Sequence, residues 1–310
     1  MSLSKNIKKG LCGVISILTI LGMSSSLATA KEKLTIGMSF QEMNNEYFVV
    51  MKQSLEAAAQ EIGANLVITD ARHDVSKQIS DVEDMLQKHI DILLLNPTDS
   101  VGVQSAVMSA KDAGVTVVAI DAQAKGPLDS FVGSKNYDAG YKAGQYLAEQ
   151  LGGKGQVAIL DGIPVVPILE RVRGFETAMK EYPNIKIVDK QNGHQERAQA
   201  LTVTENMLQA HPDLNGIFSV NDVGAMGSLA AIDASGFDVK LVSVDGAPEA
   251  VKAILKPNSH FIATSAQYPR DQIRIGLGIG LAKHWGAHVP KEVPVDVTLI
   301  NKTNASTFAW

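Results

Sequence analysis

Short apolar runs alternate with amphipathic stretches from Leu34 to about Ala287. Leu34–Phe40, Leu66–Ile68, Ile92–Leu95 and Val115–Ile120 read as strands buried on both faces, as in parallel sheets. Between them, Tyr47–Ile62, Val75–Lys88 and Val101–Ala113 carry apolar residues at helical spacing, the last stopped by Gly114. This order predicts a parallel sheet with helices on both faces.

The pattern then restarts. Phe131–Gly133 is a short extended segment, and Tyr137–Leu151 a helix ended by Gly152–Gly155. Strands at Val157–Leu160, Ile185–Val188, Ile217–Val220 and Leu241–Val244 alternate with helices at Glu170–Glu181, Glu196–Ala210, Ala225–Ser235 and Pro248–Leu255. Strand Phe261–Ser265, helix Pro269–Trp285 and an extended piece near Val295–Ile300 close the chain. The fold class expected is α/β: two Rossmann-like lobes with parallel sheets, joined by short crossings, with a ligand cleft between them.

The strands end on polar side chains: Thr69 and Asp70, Asn96, Asp121, Asp161, Asn221 and Asp222, and Asp245. Ligands of open parallel sheets bind just beyond the carboxyl ends of the strands. The row shows neither metal-ligand spacing nor a catalytic trio, which favours binding over chemistry.

Residues 1–30 read as an address. Lys5, Lys8 and Lys9 precede the apolar run Leu11–Met23, and Ala28-Thr29-Ala30 is a small-x-small cleavage site, the pattern of a secretory signal peptide. Cleavage after Ala30 leaves 280 of the 310 residues and removes Cys12, the chain's one cysteine, so disulfides and thiol mechanisms are excluded. Losing three lysines takes the net charge from −5 to −8, which argues against nucleic acid. The expectation is an exported protein that works outside the cytoplasm.

Other motifs weigh little. Gly276, Gly278 and Gly280 lie in a helical pattern and fail the dinucleotide spacing, so they read as packing positions. Gly152–Gly155 lacks the ending of a phosphate loop, and His284 with His288 lacks the Glu of a zinc helix. Tyr47 and Phe48 are adjacent, so the expectation is that at least one ring leaves the core stripe and faces the cleft, where it can stack on a sugar's C–H face. Asp121, Asn221 and Asp245 can exchange hydrogen bonds with hydroxyls, and Arg171 supplies a planar donor fork.

Further local groupings are Asn44-Asn45-Glu46-Tyr47-Phe48, Asn96-Pro97-Thr98-Asp99-Ser100, Glu170-Arg171 before Gly174-Phe175, His211-Pro212-Asp213, Val244-Asp245-Gly246 and Ala266-Gln267. In this order, with Asp121 and Asn221-Asp222, they resemble the ribose-binding protein family of periplasmic sugar receptors, over essentially the whole exported chain. That fold is shared by the ligand-binding cores of lac-repressor-type regulators. A regulator would carry a helix-turn-helix where this chain has its export pattern.

The resemblance implies a monomeric solute receptor for the membrane permease of an ABC importer, binding a sugar or polyol without any cofactor. Asn45 and Gln267 would bind hydroxyls, Tyr47 and Phe48 stack on the ring, and Asp121 and Asp245 accept hydroxyl protons from opposite sides. Arg171 and Asn221 would bond from the second lobe, with Ser134 at the first crossing. Ribose binders usually carry an arginine where this chain has Ala122, and a second-lobe aromatic where it has Gln195. A hexose, another pentose, a polyol or a cyclitol is therefore expected at least as much as ribose. The lobes implied are 33–134 plus 268–293 and 135–267 plus 294–310. A ligand sensor for a chemoreceptor or kinase, binding a sugar-like signalling molecule, would share fold and pocket. A carboxylate-pair glycosidase would use Asp121 and Asp245 differently.

Overall fold

The computed structural model describes residues 33–310. The export pattern at 1–30, Cys12 included, lies outside the described residues. In chain order the first elements are β1 (Thr35–Phe40), α1 (Glu46–Glu61), β2 (Asn65–Asp70), α2 (Val75–Gln87), β3 (Ile92–Leu95), α3 (Gln104–Asp112), β4 (Thr116–Ile120) and β5 (Ser130–Ser134). There follow α4 (Asn136–Gln150), β6 (Lys154–Asp161), α5 (Val166–Lys180), β7 (Asn184–Asn192), α6 (Arg197–Ala210), β8 (Leu214–Ser219) and α7 (Asp222–Ser235). The last are β9 (Lys240–Asp245), α8 (Pro248–Leu255), β10 (Phe261–Ala266), α9 (Pro269–His284), β11 (Glu292–Val295), β12 (Thr298–Asn301) and a 3-10 turn at Ala305–Thr307.

Two six-stranded sheets result, in the orders β11-β5-β4-β3-β1-β2 and β12-β10-β9-β8-β6-β7. The first is parallel throughout. The second is parallel except at its edge, where β12 runs antiparallel to β10, a departure from the all-parallel expectation. The terminal extended piece is therefore two strands. β11 completes the first sheet through Val295, and β12 the second.

Each sheet is covered on both faces. Ile36, Met38, Ile92 and Ile120 pack under α1 and α9, and Leu93, Leu95, Val117 and Ala119 under α2 and α3. In the second lobe, Val157, Ile159, Phe218 and Val242 face α4 and α5, while Leu160, Ile217 and Leu241 face α6, α7 and α8. Each large side chain so buried contributes roughly 1.5–3 kcal/mol.

Glycines set how closely helices approach. A Cβ on Gly276 would overlap Ile120, and one on Gly280 would crowd Ile92, so these two glycines let α9 lie on the first sheet. Gly278 faces open space, so the packing role expected of all three holds for two. In the second lobe, a Cβ on Gly140 would overlap the Arg171 carbonyl, and one on Gly174 the Tyr137 carbonyl. α4 and α5 thus meet backbone to backbone, which fixes the height of Arg171.

Three helices start differently from expectation, α7 at Asp222 rather than Ala225 because Asn221 caps it through the Gly224 amide. α5 begins at Val166 rather than Glu170, with Pro167 in its first turn. Proline's fixed φ suits that position. α3 begins at Gln104 rather than Val101, because Asp99 closes a turn by accepting from the Val101 and Gly102 amides. Among the described residues, no helix is long and apolar enough to cross a membrane, and no cluster of three His, Cys, Asp or Glu side chains forms a metal site.

Candidate functional site

The carboxyl ends of both sheets border one narrow cavity of about 30 Å³. Nine of the ten residues expected from sequence line it: Asn45, Tyr47, Phe48, Asp121, Arg171, Gln195, Asn221, Asp245 and Gln267. Ser134 stands behind the wall. Its Oγ accepts from Gln272 Nε2 at 2.6 Å, and the same Gln272 nitrogen lies 2.7 Å from the Tyr47 hydroxyl. Asp70 and Asp161, also in the row of strand ends, are not part of the lining.

The first-lobe wall is built from strand tips and one helix start. Asn45 caps α1 by accepting the Tyr47 amide at 3.0 Å, which brings both aromatic rings to the cavity. Both rings line the cavity, where at least one was expected, but neither leaves the core to do so. Tyr47 and Phe48 are each 3% exposed and belong to the same apolar cluster. At the first turn of α1 that cluster curls over the helix end, and the Tyr47 ring meets Phe48 and Trp310 edge-on, at 5.3 and 5.7 Å between centroids.

Asp121 follows β4 in a tight turn closed by the Ala122 amide on the Ile120 carbonyl, and its φ is 67°. That left-handed conformation turns its carboxylate into the cavity, where Oδ1 accepts from the Tyr47 hydroxyl and Oδ2 from Asn96 Nδ2, both at 3.3 Å. Asn96 is itself held by the Gln41 amide on its Oδ1.

The second-lobe wall centres on Asp245, at the end of β9. Its φ of 136° is one that residues with side chains rarely adopt, and such strain costs on the order of 1–3 kcal/mol. Several bonds hold it there. Oδ1 accepts from Gln267 Nε2 at 2.7 Å and Arg171 Nη1 at 3.2 Å, and Oδ2 from the Asp222 amide at 3.3 Å. Arg171 is fixed further by Asn136 Oδ1 and the Val220 carbonyl, each at 2.8 Å. Asn221 caps α7 through Oδ1 to the Gly224 amide. Gln195 reaches the Ile163 amide with Oε1.

Two buried acceptors on the wall, Gln41 Oε1 and Gln267 Oε1, have no protein partner. Unmet buried acceptors are costly, and each suits a ligand hydroxyl. Burial dominates the acids. It raises Asp121 to about 6, opposed by Arg171 and by the donors Tyr47 and Asn96, while the charge of Asp245 adds to the rise. Burial also raises Asp245, against Arg171 and its other donors. It raises the Tyr47 hydroxyl well above its usual value, keeping it a neutral donor.

Two α/β lobes, a cavity at their strand tips and a wall of hydroxyl-seeking groups are thus in place. A family model described as periplasmic binding protein domain matches residues 36–282. The chain belongs to that family. The ribose import binding protein of Bacillus subtilis (strain 168) is 40% identical over 241 residues, covering 77% of this chain and 78% of that protein. An ABC transporter periplasmic solute binding protein of Actinobacillus succinogenes 130z with bound D-allose has a TM-score of 0.84 at 31% identity, covering 89% of this chain and 100% of the other. The Caulobacter myo-inositol binding protein bound to myo-inositol has a TM-score of 0.83 at 29% identity, covering 88% and 95%.

Five wall residues were absent from the expected set: Gln41, Ala122, Val165, Pro167 and Ile168. Gln41 directly follows β1, so the strand-end rule reaches it as it reached Asp121. Val165, Pro167 and Ile168 come with the earlier start of α5, for which Pro167 was the signal. Asn96 and Asp222 were in the row of strand ends but stand one layer back. Asn96 braces Asp121, and Asp222 accepts from Ser243, Thr264 and the Ala247 amide beneath Asp245.

Proposed function

We propose that this chain is the solute-binding component of an ABC importer, exported to the periplasm, and that it holds a neutral polyhydroxylated ligand between the strand tips that border this cavity, the lobes parting to admit it. The observation that carries this is the pairing of two buried carboxylates, Asp121 and Asp245, with the unpartnered acceptors Gln41 Oε1 and Gln267 Oε1 around one space. A ligand with several hydroxyls supplies donors to all four. The Arg171 fork keeps Nη2 for a ligand oxygen, and Tyr47 and Phe48 offer apolar surface. The family binds solutes rather than transforming them, and the acids here are held by recognition partners, Arg171 and amides.

The relatives named above are described with ribose, D-allose and myo-inositol, so the ligand class is a monosaccharide or cyclitol. Ala122 and Gln195 leave the wall with one guanidinium and without a second-lobe aromatic, which favours a ring larger than a pentose. Import is preferred to sensing because the Bacillus relative is an import protein.

Opening and closing takes place about three crossings, after Ser134, at Gln267–Tyr268 and between Val295 and Thr298. These divide the chain into 33–134 plus 268–295 and 135–267 plus 296–310, with the last crossing two residues later than the expected 293/294 because β11 pairs with β5 through Val295. Ligand bonded to both Asp121 and Asp245 favours the closed arrangement. Val101 of the first lobe and Val166 and Leu169 of the second are exposed apolar residues around one opening of the cleft. They form a surface on the closed form that a permease can read.

The test is a thermal-shift and calorimetric screen of residues 31–310 against pentoses, hexoses, polyols and inositols. A ligand that binds only the folded state raises the melting temperature. One saturable hit, lost in Asp245→Ala, supports the reading. No shift across the panel sinks it.

A further inference from the structure

Trp310 joins the two lobes at the cavity. The last stretch of chain is anchored in the second lobe, where Ala305 is buried and Phe308 packs against the same apolar cluster. Trp310 itself packs against the first-lobe cluster that contains Tyr47 and Phe48. Its ring meets the Tyr47 ring at 5.7 Å and 76°, an edge-on contact. Its indole Nε1 donates to the Asp245 carbonyl at 3.0 Å, and its backbone oxygen accepts from Arg270 Nε of α9 at 3.1 Å.

The bond to Asp245 falls at a telling place. Asp245 is strained at φ 136°, and its carbonyl also accepts the Gln267 amide at 2.9 Å. A strained backbone persists only where its surroundings over-determine it. The indole supplies one of the two bonds on that carbonyl, so it helps aim the Asp245 carboxylate. The same ring limits the freedom of Tyr47, whose hydroxyl donates to Asp121. One side chain thereby touches the supports of both acids, one in each lobe.

We propose that Trp310 is a positioning residue of the ligand site and a clasp between the lobes. Its indole ties the Asp245 backbone of the second lobe to Tyr47 of the first, and its backbone oxygen holds Arg270 of α9, in the closed arrangement. The inference rests on the reading of this cavity as the ligand site. Opening must break either the bond to Asp245 or the contacts to Tyr47 and Arg270, so the clasp favours closure and raises affinity.

The experiment measures ligand affinity by calorimetry in the wild type, W310F and W310A, with ribose, D-allose and myo-inositol as probes. W310F keeps a ring against Tyr47 and loses the N–H, so its affinity should fall about three- to tenfold, the worth of one hydrogen bond. W310A loses both and should fall further, beyond about tenfold. Ligand-free melting temperatures serve as the control for a merely structural role: W310F, one hydrogen bond short, should melt only about 2–4 °C below the wild type, and a loss of affinity with no ligand-dependent component beyond that shift overturns the positioning role. The chain holds two tryptophans, and Trp285 is 69% exposed, so W285F isolates the Trp310 emission. In W285F, saturating ligand should lower acrylamide quenching of Trp310. Variants that bind as tightly as a binding wild type overturn the clasp. If the wild type binds no probe, the functional reading fails separately. Scattering of the ligand-free proteins then decides the clasp: a larger radius of gyration in W310A supports it, and matching profiles overturn it.

Discussion

Arg171 Nη1 and Asp245 Oδ1 meet at 3.2 Å within the second lobe, not across the cleft. The guanidinium comes from α5 and the carboxylate from the tip of β9, and both are buried. This half of the site is therefore organised within one lobe, with Asn136 and the Val220 carbonyl bracing the arginine from behind.

The two members of this pair should not respond alike. Arg171→Ala strands a buried carboxylate and empties the volume of a large side chain, which costs on the order of 3–5 kcal/mol of stability. Asp245→Ala leaves Arg171 with two acceptors and should cost less. Both should lower affinity more than about a hundredfold, since each removes a charge-assisted bond and disturbs its partner. Denaturant titration beside calorimetry checks the order. Equal stability losses would refute it.

Affinity should fall in acid. Ligand hydroxyls donate to the charged Asp121 carboxylate, so binding lowers its pKa below the ligand-free value of about 6. Affinity is therefore full above that pH and declines as pH drops through it, by at most about tenfold per unit for one proton. Tyr47→Phe removes a bond that lowers the Asp121 pKa, so the decline should begin at higher pH. Titrations between pH 8 and pH 4.5 test both. A flat profile would remove Asp121 from the hydroxyl-accepting role.

Gly140 lies outside the cavity, yet Gly140→Ala should weaken binding. The new methyl would overlap the Arg171 carbonyl, and backbone cannot swing aside as a side chain tip can. α4 and α5 must part, which costs roughly 1–3 kcal/mol and shifts the guanidinium. A variant with wild-type melting temperature and affinity would show that the helix contact is slack.

Ala122 lines the cavity and is 2% exposed. Ala122→Arg fills part of the space and adds a donor fork, so the preference between ribose and myo-inositol should move toward ribose by about 10–100-fold. The ratio of the two dissociation constants is the readout. An unchanged ratio would place ligand discrimination elsewhere on the wall.

Much of this site was legible as a list of strand ends. Asp121, Asn221 and Asp245 follow apolar runs, and topology sends such positions to one edge of a sheet. Which of them line the cavity was not legible. Asp222 follows Asn221 directly, yet it turns inward to Ser243, Thr264 and the Ala247 amide while Asn221 stays on the wall. Nor could adjacency settle Tyr47 and Phe48. Helical spacing assigns faces relative to one sheet, whereas here Trp310, 263 positions away from Tyr47, extends the core around the helix end.

The sequence by itself determined the alternation of strands and helices, the two-lobed class and the set of polar strand tips. These follow from local periodicity and from the chemistry of residues near one another in the chain. Only the tertiary structure decided which acids are braced and by what: Asn96 and Tyr47 on Asp121, Arg171, Gln267 and Trp310 on Asp245. Those partners lie far apart in sequence, and the strained backbone at Asp245 is stable only because they converge on it. Local propensity carries no record of such convergence, since it arises from the packing of whole elements against one another.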